Sequence, residues 1–126
     1  MLNDALGKIE MKKGKYDFSQ ADEVVRKAQA KNLDILATIW PYAEWDQERW
    51  GSINRFAEKI DFPELPSSRY KPYDMQAYRK FVKALVERYD GDGIDDMPGL
   101  KKPVKYWEIL NEPEAQTKDY KCFFHG

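Results

Sequence analysis

The run Tyr106-Trp107-Glu108-Ile109-Leu110 is aromatic and aliphatic, and it breaks off abruptly in Asn111-Glu112-Pro113. Proline has no backbone N–H and cannot continue a central sheet, so a strand through this run must stop near Glu112. A carboxylate is thereby placed where a strand opens into a loop. Partial shielding from water at such a point would raise its pKa toward the range of a general acid.

The elements ahead of this strand set its context. Residues 1–18 read as the end of one strand and a loop, with Gly14 supplying a turn. Ser19 followed by Asp22 has the form of a capping box, which predicts a helix to about Lys31 with Ala21, Val24, Val25 and Ala28 on its apolar face. Asn32 suits a left-handed C-terminal cap. The apolar run 33–39 follows at once, as expected for a strand covered by helices. A long connection, 40–73, carries Trp40, Pro41, Trp45, Trp50, Pro63, Pro66 and Pro72, with a short helix expected at 54–60. Asp74 caps a second helix whose apolar positions are Met75, Tyr78, Val82, Leu85, Val86 and Tyr89, and Tyr73 and Tyr78 stand where a hydrophobic staple would form. The order strand, helix, strand, helix, strand implies an α/β fold with parallel strands.

Composition excludes several classes of function. The 21 basic and 22 acidic residues give a net charge of −1, so neither nucleic acid nor an anionic membrane surface is an expected partner. No run of eighteen apolar residues is present, and no membrane span is expected. The N-terminus shows no secretory signal, and both a secreted and a cytoplasmic home stay open. The single cysteine, Cys122, excludes an internal disulfide framework. There is no zinc spacing, no phosphate loop and no nucleophilic Ser or Cys motif. Four Trp and eight Tyr suit sugar faces, and equally any large core.

Trp107-Glu108-Ile109-Leu110-Asn111-Glu112-Pro113-Glu114 resembles the fourth-strand motif of the clan of retaining glycoside hydrolases built on (β/α)8 barrels. The resemblance extends to Gly7-Lys8-Ile9-Glu10, to Gly14-Lys15-Tyr16-Asp17-Phe18-Ser19 and to Ile39-Trp40-Pro41-Tyr42-Ala43-Glu44-Trp45, which are similar to segments around the second and third strands of families 39, 42 and related barrels. It implies that residues 1–126 are a partial catalytic domain, an incomplete TIM barrel covering roughly the second to fourth strands with their helices. At the mouth of such a barrel a strand-end carboxylate is placed for catalysis. Glu112 would be the acid/base and Asn111 would bind the sugar 2-hydroxyl. Trp40, Tyr42, Trp45 and Glu10 would line the substrate side. The nucleophile, a carboxylate about 5 Å away in a retaining enzyme, would come from a seventh strand that this chain does not reach. The fragment alone would then be inactive, and its exposed sheet edges would favour self-association.

Two further expectations follow from the residues. Strand side chains alternate, so Glu108 has the parity of Glu112 and would point the same way unless a bulge intervenes; inside a barrel it must be paired or hydrogen-bonded. In Asp90-Gly91-Asp92-Gly93-Ile94-Asp95-Asp96, the carboxylates of Asp90, Asp92, Asp95 and Asp96 could wrap a structural Ca²⁺, although Lys101 stands where an EF-hand would have its final Glu. A solvated turn is the alternative. The reaction itself needs no cofactor. A non-catalytic carbohydrate-binding or calcium-stabilised module is the other functional class these features allow.

Overall fold

The computed structural model describes residues 9–53 and 70–110. In chain order these form helix α1 (Ser19–Ala30), strand β1 (Leu36–Ile39), a one-turn helix α2 (Glu44–Gln47), a 3-10 helix (Glu48–Ile53), helix α3 (Met75–Tyr89) and strand β2 (Tyr106–Ile109). The helix expected at 54–60, and Asn111 and Glu112, lie outside the described residues, whereas the described part of the expected strand end and loop at 1–18, residues 9–18, leads into α1 through turns and an isolated bridge between Lys12 and Lys15.

β1 and β2 pair in parallel, with Leu36 opposite Tyr106 and Ile39 opposite Ile109. A parallel pair needs a crossover connection, and α3 lies within it. One face of the pair carries Ala37 and Ile39 into a core shared with Val25 from α1 and Phe81, Leu85 and Tyr89 from α3, with Trp107 packed against it. Leu36 and Tyr106, on the other face, are 63 % and 56 % exposed. Among the described residues no helix is long and apolar enough to cross a membrane.

The ends of α1 follow local chemistry on one side only. At its C-terminus Asn32 adopts φ 55°, and the Asn32 and Leu33 N–H groups donate to the carbonyls of Gln29 and Ala28 at 3.0 and 2.9 Å. That pattern is a Schellman cap with Asn in the left-handed position. At the N-terminus the expected capping box is absent. Ser19 is already helical, Phe18 occupies the cap without a side-chain hydrogen bond, and Asp17 accepts the Ser19 N–H at 3.0 Å. Asp22 turns into the protein instead, where Arg88 and Tyr89 of α3 claim its carboxylate.

Asp74 caps α3 as expected, accepting the Ala77 N–H at 2.9 Å. The buried stripe of α3 is Ala77, Phe81, Leu85 and Tyr89, each four residues from the next. Met75 is 42 % exposed, so the helix is rotated from the expected face, toward Phe81. Tyr73 does not staple onto Tyr78. Its ring meets Trp50 edge-on at 5.1 Å, with the Arg49 guanidinium 4.6 Å from the ring centre. β1 is shorter than the apolar run 33–39, because Leu33 completes the helix cap and is left 56 % exposed.

Candidate functional site

Because β1 and β2 are parallel and in register, their carboxyl ends finish side by side, with Trp40 leaving one and Leu110 leaving the other. The Leu110 N–H donates to the Ile39 carbonyl at 3.1 Å, and Leu110 then turns left-handed at φ 61°. L-residues other than Asn and Asp rarely adopt that conformation. The two-residue alternation of β2 ends at this turn. One layer below, the Thr38 hydroxyl donates to Glu108 Oε2 at 2.8 Å. Glu108 is therefore hydrogen-bonded, as a half-buried carboxylate on this face requires.

The chain leaving β1 is held down by Asp46 and Gln47, to which sequence reasoning gave no role, and by Trp50. Asp46 is 4 % exposed and accepts the Tyr73 and Asp74 N–H groups, each at 2.7 Å. Gln47 is 2 % exposed and pairs its amide with both the N–H and the carbonyl of Tyr70 at 2.9 Å. The Trp50 indole N–H donates to the Lys71 carbonyl at 3.0 Å, and its ring stacks on Tyr70 at 5.3 Å. Three consecutive anchors thus fasten the connection after β1 to the start of α3. A buried Asp and Gln have no signature in the sequence, since either type is ordinary in a loop.

Glu10, Trp40 and Trp45, three of the expected substrate-side residues, line one small cleft together with Pro41, Asp46, Asp74 and Tyr78. The cleft has a volume of about 30 Å³, enough to admit a small polar group. Tyr42 is placed differently. It is 3 % exposed, with its ring edge-on to Trp40 at 5.8 Å.

Glu10 itself is 6 % exposed. Its Oε1 accepts the Gly14 N–H at 2.7 Å across a tight turn, in which Gly14 takes φ 73°. Burial pushes the Glu10 carboxyl above its ordinary pKa, and Asp46 and Asp74 add to the rise, while the Gly14 N–H and Lys13 oppose it. Lys13 closes the rim, pairing with Asp74 Oδ2 at 2.6 Å and lying 5.8 Å from the Trp45 ring centre. A protonated carboxyl here can donate a hydrogen bond; ionised, it can accept several.

The aspartate loop lies between α3 and β2, at the end of the pair opposite Trp40 and Leu110. Asp90, Asp92 and Asp96 hold carboxylate oxygens within 4.8 Å of one another, whereas Asp95 stands outside this group with φ 51°. Each of the three also serves the loop's own backbone. Asp96 accepts the Gly91 and Gly93 N–H groups at 3.1 and 2.8 Å, Asp92 accepts from Ile94 at 2.8 Å, and Asp90 accepts from Asp92 at 3.2 Å. The oxygens fit a hard cation in kind, and they already satisfy a turn.

Neither a protein-family model nor a solved structure matches the chain. Among curated proteins, the chain is similar to a probable mannan endo-1,4-beta-mannosidase A-1 of Aspergillus terreus, 28 % identical over 112 residues. The similarity covers 87 % of this chain and 25 % of that protein, so the chain spans about a quarter of the length of its relative. This supports a relationship to glycoside hydrolases.

Proposed function

We propose that the chain is part of a retaining glycoside hydrolase acting on a β-linked polysaccharide of the mannan class, with Glu112 as acid/base. The similarity to a mannan endo-1,4-beta-mannosidase over 87 % of the chain carries this reading. The aligned ends of β1 and β2 support it, because they set Trp40 beside the residue that precedes Asn111 and Glu112. In the proposed architecture these strands belong to a (β/α)8 barrel whose catalytic face is at their carboxyl ends.

Glu112 would protonate the glycosidic oxygen as the bond breaks, then deprotonate the water that releases the sugar. A second carboxylate, outside this chain, would form the glycosyl-enzyme intermediate about 5 Å away. Asn111 would hold the sugar 2-hydroxyl through a hydrogen bond that strengthens as positive charge develops on the ring. Trp40 and Trp45 would face the sugar at the same mouth.

The test is hydrolysis of β-1,4-mannan by the intact protein, followed by proton NMR of the newly formed anomer. The β-anomer should appear first, and Glu112→Gln should lower turnover by about 10²–10⁴-fold, the range for losing a general acid/base. Unchanged turnover in that variant, or initial release of the α-anomer, would overturn the mechanism. A second reading, a carbohydrate-binding module steadied by Ca²⁺, draws on the grouping of Asp90, Asp92 and Asp96. Sugar binding without hydrolysis, with a melting temperature that rises on adding Ca²⁺, would favour it.

A further inference from the structure

We infer that the cleft between Glu10, Trp45 and Tyr78 is a subsite for one projecting hydroxyl group of the carbohydrate. The Trp45 indole nitrogen and the Tyr78 hydroxyl are both buried, and neither has a hydrogen-bond partner among the described residues. Native proteins rarely leave such groups unmet, and each exception asks for a water, an ion or a function. Both side chains line the same cleft, and Glu10 lines it with them.

The two aspartates of the cleft are already committed. Asp46 gives both oxygens to the Tyr73 and Asp74 N–H groups, and Asp74 holds Ala77 and Lys13. Glu10 makes one hydrogen bond, to Gly14, among the described residues. A carboxylate has about four acceptor sites, so it retains most of its capacity. What the cleft lacks is therefore an acceptor for the Trp45 N–H, a partner for the Tyr78 hydroxyl and a donor for Glu10.

That list selects the ligand by chemistry. A hydroxyl oxygen has two lone pairs and one proton, so it meets all three needs at once. An ammonium has no lone pair to offer Trp45. A carboxylate or phosphate would face three acidic side chains, Glu10, Asp46 and Asp74, against the single charge of Lys13. At about 30 Å³ the cleft has room for a hydroxyl on a short arm. Burial raises the pKa of the Tyr78 hydroxyl, which keeps its proton available for donation.

The identity of the arm's carrier rests on the glycoside hydrolase reading above. The test uses the intact protein with Glu112→Gln, so that β-1,4-mannohexaose is bound and not cleaved. Binding is measured by calorimetry, and the Trp45 indole N–H is followed by ¹⁵N NMR during the titration. Tyr78→Phe removes one oxygen and keeps the ring, so its fold is checked by an unchanged far-UV spectrum. The expected result is a shift of the Trp45 resonance on saturation and about tenfold weaker binding for both Tyr78→Phe and Trp45→Phe, the loss of one hydrogen bond. If the hexaose binds and neither variant weakens it, the subsite falls and the glycoside reading stands. If the parent protein binds no hexaose, both fall together.

Discussion

Arg88 grips Asp22 with two nitrogens, Nε to Oδ1 at 2.8 Å and Nη2 to Oδ2 at 2.6 Å, and so ties α3 to α1. The buried Tyr89 hydroxyl donates to the same carboxylate at 2.8 Å. Burial alone would raise the Asp22 pKa, but the hydrogen bonds from Arg88 and Tyr89 and the charges of Arg88 and Arg26 outweigh it, and the carboxyl lies below its usual range. The guanidinium also rests over the Phe18 ring at 4.9 Å. One carboxylate thus organises the junction of two helices with the loop before α1.

Asp22→Ala should cost about 3 kcal/mol, the lower end for breaking a buried pair, because the Arg88 side chain is 24 % exposed and recovers some hydration. Urea denaturation at neutral pH measures it. The pH dependence has a definite sign. A folded pKa below the unfolded value of about 3.9 gives stability that is present above that value and is lost as pH falls through the folded pKa. Asp22→Asn should therefore flatten the acid limb of the stability curve below pH ~4. An acid limb identical to the parent's would show that Asp22 carries no such linkage.

Glu10 should behave in the opposite sense. Its folded pKa is raised, chiefly by burial, so its contribution is fully present below the unfolded value of about 4.3 and is lost as pH rises through the folded pKa. Glu10→Gln keeps an acceptor for the Gly14 N–H and removes the charge. The variant should match the parent near pH 4 and become the more stable of the two above it, and melting curves from pH 4 to 8 would display the divergence. Parallel curves would refute it.

What the sequence disclosed and what it hid divide along a physical line. The Asp74 cap and the left-handed Asn32 are decided by backbone groups within a few residues, and both were legible. The partner of Asp22 lies 66 residues away, so its apparent pairing with Ser19 was the nearer option and the wrong one. The rotation of α3 was hidden for a related reason. Met75 and Phe81 are both apolar, and only the surface that α3 meets decides that Phe81 goes in. In the candidate site, Glu10, Trp40 and Trp45 were named from resemblance and do share a cleft, while Asp46 and Tyr78 gave no sign because their value lies in what surrounds them.

Asp46 offers a graded test of how the connection after β1 is held. Asp46→Asn retains one acceptor oxygen and should leave one backbone N–H unmet, at about 1–3 kcal/mol. Asp46→Ala leaves both the Tyr73 and Asp74 N–H groups unmet and should cost clearly more. Denaturation of the two variants beside the parent gives the order, and equal losses would show that the anchor does not act through its two oxygens separately.

Leu110 is where the fold and the proposed chemistry meet most closely. Its N–H continues the ladder to Ile39, and its φ of 61° then redirects the chain immediately before Asn111. Holding an L-residue left-handed costs about 1–2 kcal/mol, and a β-branched side chain fits that region worse still. Leu110→Val should thus be less stable than the parent, by the extra cost of a β-branched side chain in this region. Leu110→Gly removes the strain but adds about 0.5–1 kcal/mol of chain entropy to be lost on folding, so the two effects nearly offset. If this turn aims Glu112, Leu110→Val should reduce mannan hydrolysis under conditions where the protein is still fully folded, whereas a purely structural role predicts lost stability with turnover per folded molecule unchanged. Measuring turnover and denaturation on the same samples separates the two, and full activity with parental stability in Leu110→Val would remove the left-handed turn from the account of the site.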